Sequence, residues 1–239
     1  MSEFTPPFAP IVVLLFLGST LLLGVSLIVL LYGAARRSAL FAKLGASAAI
    51  TIGAGYFVLL SGVSIASTDK TLPAGGWKYF CEADCHIAYS IIGTQTATAF
   101  GPEAQRVSAH GRFIFVRLKT WFDERTISAN RGNSTLAPNP RSAVLVDDNG
   151  REFEPSAEAQ VAFARLGNAS TPLTVPLRPG ESYTTDFVFD VPRDASGFRL
   201  LIRDDAPETR LLIGHENSPM HKKTYFSLDS ALPLGKSAQ

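Results

Sequence analysis

The sequence predicts a two-helix transmembrane hairpin followed by an all-β sandwich, and three observations carry that prediction. Charge is unevenly placed: the first 66 residues hold only Glu3, Arg36, Arg37 and Lys43, although the 239-residue chain has 22 Lys+Arg and 21 Asp+Glu. Two long uncharged apolar stretches fill that region. Beyond it the apolar period shortens to two, with turn residues between the runs.

Residues 10–32 (PIVVLLFLGSTLLLGVSLIVLLY) and 44–66 (LGASAAITIGAGYFVLLSGVSIA) carry no charge. Each is longer than the about 20 apolar residues with which a helix crosses a ~30 Å hydrocarbon core. Helices apolar on every side are unusual on a soluble protein. The residues ahead of the first stretch include Glu3 and no Lys or Arg. A cleaved signal peptide begins with a basic segment, so the first span is expected to be retained. The connector, 33–43 (GAARRSALFAK), has three positive charges and no negative one. Short cationic loops stay cytoplasmic. Both termini and everything after Ala66 are therefore expected outside the cytoplasm, on a two-pass protein of a bacterial inner membrane. In the second span Gly45, Ala49 and Gly53 recur every fourth residue, as do Ser47, Thr51 and Gly55. Small residues let helix backbones approach closely in lipid. This stripe serves either the hairpin itself or the helices of another subunit.

Residues 67–77 read as a polar linker, and 78–239 as one β-sandwich domain. Strands are expected at 86–99 and at 112–122, where Ile114, Val116, Leu118, Thr120 and Phe122 share a face. A further strand at 143–146 turns at Asp147-Asp148-Asn149-Gly150 into 151–154, because Asn-Gly tolerates positive φ. Residues 156–166 (SAEAQVAFARL) read as a short crossover helix. Pro176 marks 173–177 as an edge strand. A turn at 178–181 leads into a strand with Tyr183, Thr185, Phe187, Phe189 and Val191 on one face. Strands at 198–203 and 210–214 follow, with one more within 221–228. Short strands at this spacing are the pattern of a sandwich, large enough to fold without disulfides.

Several of these stretches also carry a resemblance. Residues 177–182 (LRPGES), 184–192 (TTDFVFDVP) and 198–204 (FRLLIRD), with the strand 113–122 and the hairpin 146–153 (VDDNGREF), resemble the telokin-like, immunoglobulin-like domains of unknown function on bacterial exported proteins and lipoproteins. The resemblance spans residues 90–205 and implies an immunoglobulin-like β-sandwich acting as a binding or assembly module. It offers no catalytic residues. Residues 78–90 (KYFCEADCHIAYS) and 214–223 (GHENSPMHKK) look like marks of a subgroup within that family.

Only one cluster suggests chemistry. Cys81, Cys85 and His86 form a C-x-x-x-C-H run, and the chain has no other cysteine. In an oxidising compartment the pair is expected to form a disulfide. The alternatives are a copper or zinc site of Cys81, Cys85, His86 and His221, extended by His215 and Met220, or a dithiol redox pair. Two spans followed by a sandwich with C-x-x-x-C also outline cytochrome oxidase subunit II. That motif continues with Gly, a His four residues after the second Cys, then Met, where this chain has His86, Tyr89 and Ile92. A c-type haem site is C-x-x-C-H, one residue shorter. His110 is expected in a turn, and Asp123 and Glu124 as solvated residues at a strand end. No catalytic triad, P-loop or dinucleotide fingerprint is present. A net charge of +1 argues against a nucleic-acid partner.

The expected function is that of a non-enzymatic accessory or scaffold subunit, needing no cofactor. Its partners would be the bilayer and other membrane protein subunits of a respiratory or photosynthetic complex. The alternative is copper binding, or thiol-redox or electron-transfer chemistry, at Cys81, Cys85 and His86.

Overall fold

The structure, a computed structural model, describes residues 9–80, 86–168 and 170–228. The chain divides into two compact units. One combines Pro6–Thr68 with Pro207–Lys222, and the other is built from Asp69–Ala206 and the chain from Lys223 onward.

The first unit is a helical hairpin of α1 (Ala9–Ala35) and α2 (Ala39–Ala66). Both helices extend into the expected 33–43 connector, leaving Arg36, Arg37 and Ser38 between them. Arg37 adopts a left-handed φ of 53°, and the Ser38 amide donates to Gly33 O at 2.8 Å, closing the end of α1. The helices meet through glycine. A Cβ on Gly45 would lie 2.4 Å from Leu30 N, and one on Gly33 would lie 2.3 Å from Ala42 N. Rings also meet, with Tyr32 and Phe41 centroids 5.8 Å apart. Gly53 and Gly55 have no atom within 4 Å of an added Cβ. The stripe is thus divided, its first glycine closing the hairpin and its later ones making no such close approach.

Pro207–Lys222 completes this unit. The strand expected at 210–214 is instead a 3₁₀ segment, Pro207–Leu211, followed by turns. Amides of Leu212, His215, Ser218 and His221 each bond a carbonyl three residues back. The Ser218 hydroxyl donates to Leu212 O at 2.5 Å, and Asn217 Nδ2 donates to Thr209 Oγ1 at 2.9 Å. These local polar bonds outcompete strand pairing. Tyr56 of α2 donates its hydroxyl to Leu211 O at 2.6 Å, and the Lys222 amide donates to Ser67 Oγ at 2.9 Å.

The second unit is a β-sandwich. Its strands are β1 (Lys70–Leu72), β2 (Lys78–Tyr79), β3 (Ile87–Phe100), β4 (Val107–Phe122), β5 (Arg141–Val146), β6 (Glu152–Phe153), β7 (Ser182–Val191), β8 (Arg199–Asp204) and β9 (Thr224–Ser227), with α3 (Ala157–Arg165) between β6 and β7. One sheet runs β1-β9-β8-β5-β6 and the other β2-β3-β4-β7. Residues 70–72, expected as linker, pair in parallel with β9, Lys70 opposite Thr224. The expected edge strand at 173–177 reduces to a single bridge between Leu177 and Leu136. Pro176 lacks the amide that a longer ladder needs.

Between the sheets lie Tyr89, Ile91, Val116, Leu118, Phe122, Leu145, Phe189, Leu200, Ile202 and Phe226, all buried. The expected inward face of β4 is therefore present. Its other face is buried at Phe113 and Phe115, because α3 brings Phe163 against them and against Phe100 and Val188. Ser156 caps α3, accepting from the Ala159 amide at 3.3 Å. His110 lies inside β4 rather than in a turn, and its Nδ1 sits 2.7 Å from Asp190 Oδ2. Beside it Gly111 is required, since an added Cβ would stand 2.2 Å from Val191 O. The β5–β6 turn forms as expected, with Gly150 at φ 76° and Asp147 Oδ1 accepting from the amides of Asn149 and Arg151.

Candidate functional site

Cys81 and Cys85 lie outside the described residues, and the expected disulfide lies there with them. The residues that flank them in the chain, Tyr79 and His86, stand on β2 and at the start of β3. Around these two the sandwich gathers a polar cluster from the end of β4.

His86 is buried and stacks on Phe122, with ring centroids 5.4 Å apart and an interplanar angle of 11°. Its Nδ1 is 2.5 Å from Thr126 Oγ1. The Thr126 hydroxyl already donates to Asp123 O at 2.7 Å. Nδ1 therefore carries a proton, which it donates to the Thr126 hydroxyl oxygen.

Asp123 is 2 % exposed, not solvated as its place at a strand end suggests. Its carboxylate accepts from Tyr79 Oη at 2.5 Å, from Arg125 Nε and Nη2 at 2.8 Å each, and from the Arg125 amide at 3.0 Å. The Arg125 fork holds its pKa down at about 2. Burial, reinforced by Asp123, pushes the Tyr79 phenol up to about 12. The phenol stays neutral and the carboxylate ionised across the physiological range, so the trio clamps β2 to the end of β4. The Arg125 guanidinium also lies 4.9 Å from the Trp121 ring, which packs 5.1 Å from Trp77.

Behind Tyr79 is a second charged group absent from the sequence reading. Lys78 is wholly buried, and its Nζ donates to Ile202 O at 3.0 Å and Thr224 O at 2.9 Å, tying β2 to the opposite sheet. Arg141 pairs with Asp204 at 2.5 Å and places its guanidinium 3.9 Å from the Phe80 ring. Buried ions persist where partners surround them, as here.

His221, the fourth metal ligand expected, belongs to the helical unit, whereas His86 belongs to the sandwich. The His221 Nδ1 lies 2.7 Å from Lys222 O. His215 is buried, and its Nδ1 accepts from the Asn217 amide at 3.1 Å. Among the described residues, no three His, Cys, Asp or Glu side chains gather closely enough to hold a metal ion.

One cavity of about 500 Å³ opens elsewhere on the sandwich, between the edge of β5 and the 170–174 segment, with Glu154, Leu173 and Phe187 among its walls.

No protein-family model matches this chain, and no curated protein matches it. Similar solved structures include a secreted protein of Mycobacterium tuberculosis, MPT63, at 11% identity and a TM-score of 0.40, covering 69% of this chain and 99% of that one. An uncharacterized β-sandwich protein of Clostridium difficile is similar at 10% identity and a TM-score of 0.38, covering 68% and 96%. A conserved hypothetical protein of Bacillus anthracis is similar at 16% identity and a TM-score of 0.38, covering 53% and 85%. At TM-scores of this size the likenesses assign the chain neither a family nor an activity.

Proposed function

We propose that this protein is a membrane-anchored, non-enzymatic accessory or scaffold subunit whose helices pack into a larger membrane complex. Its immunoglobulin-like sandwich would brace the complex on the extracytoplasmic face. One observation carries the reading: α1 and α2 leave large apolar side chains bare. Leu14, Leu21, Ile28, Leu31, Ile50 and Phe57 are each 64–69% exposed. Soluble proteins rarely expose a continuous apolar surface of this kind. Both helices are long and apolar enough to cross a bilayer. Arg36 and Arg37 stand at the hairpin bend, and the cationic bend is the end retained in the cytoplasm. Gly53 and Gly55, unused within the hairpin, offer a close-approach face to another helix. The Tyr79–Asp123–Arg125 clamp ties β2 to the end of β4, which suits a rigid bracing module.

The test is gentle purification from the native membrane with identification of co-purifying chains and metal analysis on the same sample. Stoichiometric membrane subunits without metal are expected. A solitary protein would overturn the scaffold reading.

A second reading, copper or thiol-redox chemistry at Cys81 and Cys85, draws support from the buried imidazole of His86 directly after Cys85. It predicts bound copper that is lost on Cys81→Ser.

A further inference from the structure

Both sheets end on the same side of the sandwich, one at β7 and the other at β5 and the short β6. Strand edges invite pairing unless they are protected. The β7 edge is protected group by group. The Asp186 amide donates to Ser170 Oγ, and Asp186 O accepts from Gln160 Nε2. The Val188 amide donates to Gln160 Oε1, and Val188 O accepts from the Ser156 amide. Side chains and one turn amide thus stand where a neighbouring strand would be.

The β5 edge is treated differently. β6 pairs only with Leu145 and Val146, and the chain then leaves through Glu154 and Pro155 toward β7, where Ser156 bonds Val188. The direction of the remaining β5 backbone groups follows from its two ends. Pro140 O accepts from the Asp205 amide, beyond β8, and the Asp147 amide donates to Arg151 O, beside β6. Backbone groups alternate along a strand. Residues 140, 142 and 144 therefore address β8, whereas 141, 143, 145 and 147 address the β6 side. At Leu145 and Asp147 that side is filled. At Ala143 no strand among the described residues meets the backbone, although the residue is only 3% exposed. Buried main-chain N–H and C=O groups are nearly always bonded. The space they face is the 500 Å³ cavity, lined by Arg141–Val144 on one side and by Pro172, Leu173 and Phe187 on the other.

We infer that the β5 edge at Arg141–Val144 accepts an extended peptide as an added strand in the lane that β6 vacates. This mode of recognition takes its affinity from main-chain bonds and its specificity from pockets for alternate side chains. Four residues offer roughly 13 Å of edge at ~3.3 Å per residue. A walled lane of about 500 Å³, with Pro172 and Leu173 opposite β5, has room for one short strand rather than a second sheet. Leu173 and Phe187 provide for one inward apolar side chain. Glu154, exposed at the mouth, favours a basic residue next to it. The ligand is thus an extended, proline-free segment of another polypeptide, apolar at one inward position and basic at its flank.

The test uses the full-length protein in detergent micelles and a fluorescein-labelled hexapeptide, Lys-Val-Thr-Val-Thr-Lys, read by fluorescence anisotropy. Saturable binding is expected. It should weaken at least tenfold when alternate peptide amides are N-methylated, a change that leaves the protein untouched. Ala143→Pro, which removes an N–H facing the lane and no bond to β8, should weaken it similarly. Glu154→Lys should invert the preference for this peptide over its Glu-flanked counterpart. Amide exchange at Ala143 should slow when peptide is added. No saturation at millimolar peptide, or equal binding of the N-methylated peptide, would overturn the inference. So would protection of the Ala143 amide that grows with protein concentration alone, because the edge would then pair with a second copy.

Discussion

At the scale of single residues, the sandwich stakes much on a few ionised groups. Asp123 is the clearest, because one carboxylate serves a phenol, a guanidinium and an amide. Asp123→Ala should destabilise the sandwich by about 2 kcal/mol, the range for hydrogen bonds to charged groups, measured by chemical denaturation. The pH dependence follows from the two displaced pKa values. Asp123 titrates near 2 when folded and 3.8 otherwise, so its contribution is complete above about 4 and is lost as pH falls toward 2. Tyr79 is displaced upward, from 10.0 to about 12, so its contribution is complete below 10 and is lost as pH rises toward 12. In Asp123→Ala the acid limb of the stability profile should flatten. Arg141 makes a harsher prediction. Arg141→Met leaves Asp204 buried without its guanidinium partner, and should cost about 3–5 kcal/mol by the same measurement. If that variant is as stable as the parent, the ion pair is dispensable to the packing.

At the scale of elements, the glycines of α2 separate two kinds of helix contact. Gly45→Leu drives a side chain into the α1 backbone at Leu30, whereas a Cβ on Gly53 has no atom of the described residues within 4 Å. Cysteine crosslinking between α1 and α2 should fall sharply for Gly45→Leu and stay unchanged for Gly53→Leu. On the proposed scaffold role, Gly53→Leu should instead reduce recovery of partner subunits from the native membrane. The periodic elements were the ones readable in advance. The two apolar helices, the alternating faces of β4 and β7, the Asn149-Gly150 hairpin and the capped helix α3 all announce themselves through local pattern. The failures share a cause, since each depends on what lies across space. Phe113 and Phe115, on the second face of β4, are buried because α3 folds over them. Residues 70–72 become a strand only because β9 returns from more than 150 positions away. Residues 210–214 look like a strand, yet Thr209, Ser218 and their neighbours bond locally and turn the chain instead. The polar cluster was least visible. Nothing in Asp123-x-Arg125 marks a buried clamp until Tyr79 arrives from a different strand.

At the scale of the whole molecule, the order of the chain does not match the order of its units. The polypeptide passes from helices to sandwich after Thr68, returns at Pro207, and crosses again after Lys222. Most anchored domains hang from a single stalk, and cutting the stalk releases them. Here a protease site inserted between Thr68 and Asp69 would sever only the first crossing. The C-terminal fragment would still contain Pro207–Lys222, which Tyr56 and Ser67 hold by hydrogen bonds to Leu211 and Lys222. After cleavage the two fragments should elute together in mild detergent and separate only in denaturant. The chain is in this sense stitched rather than hung: a single nick would leave a wound but no separate sandwich fragment.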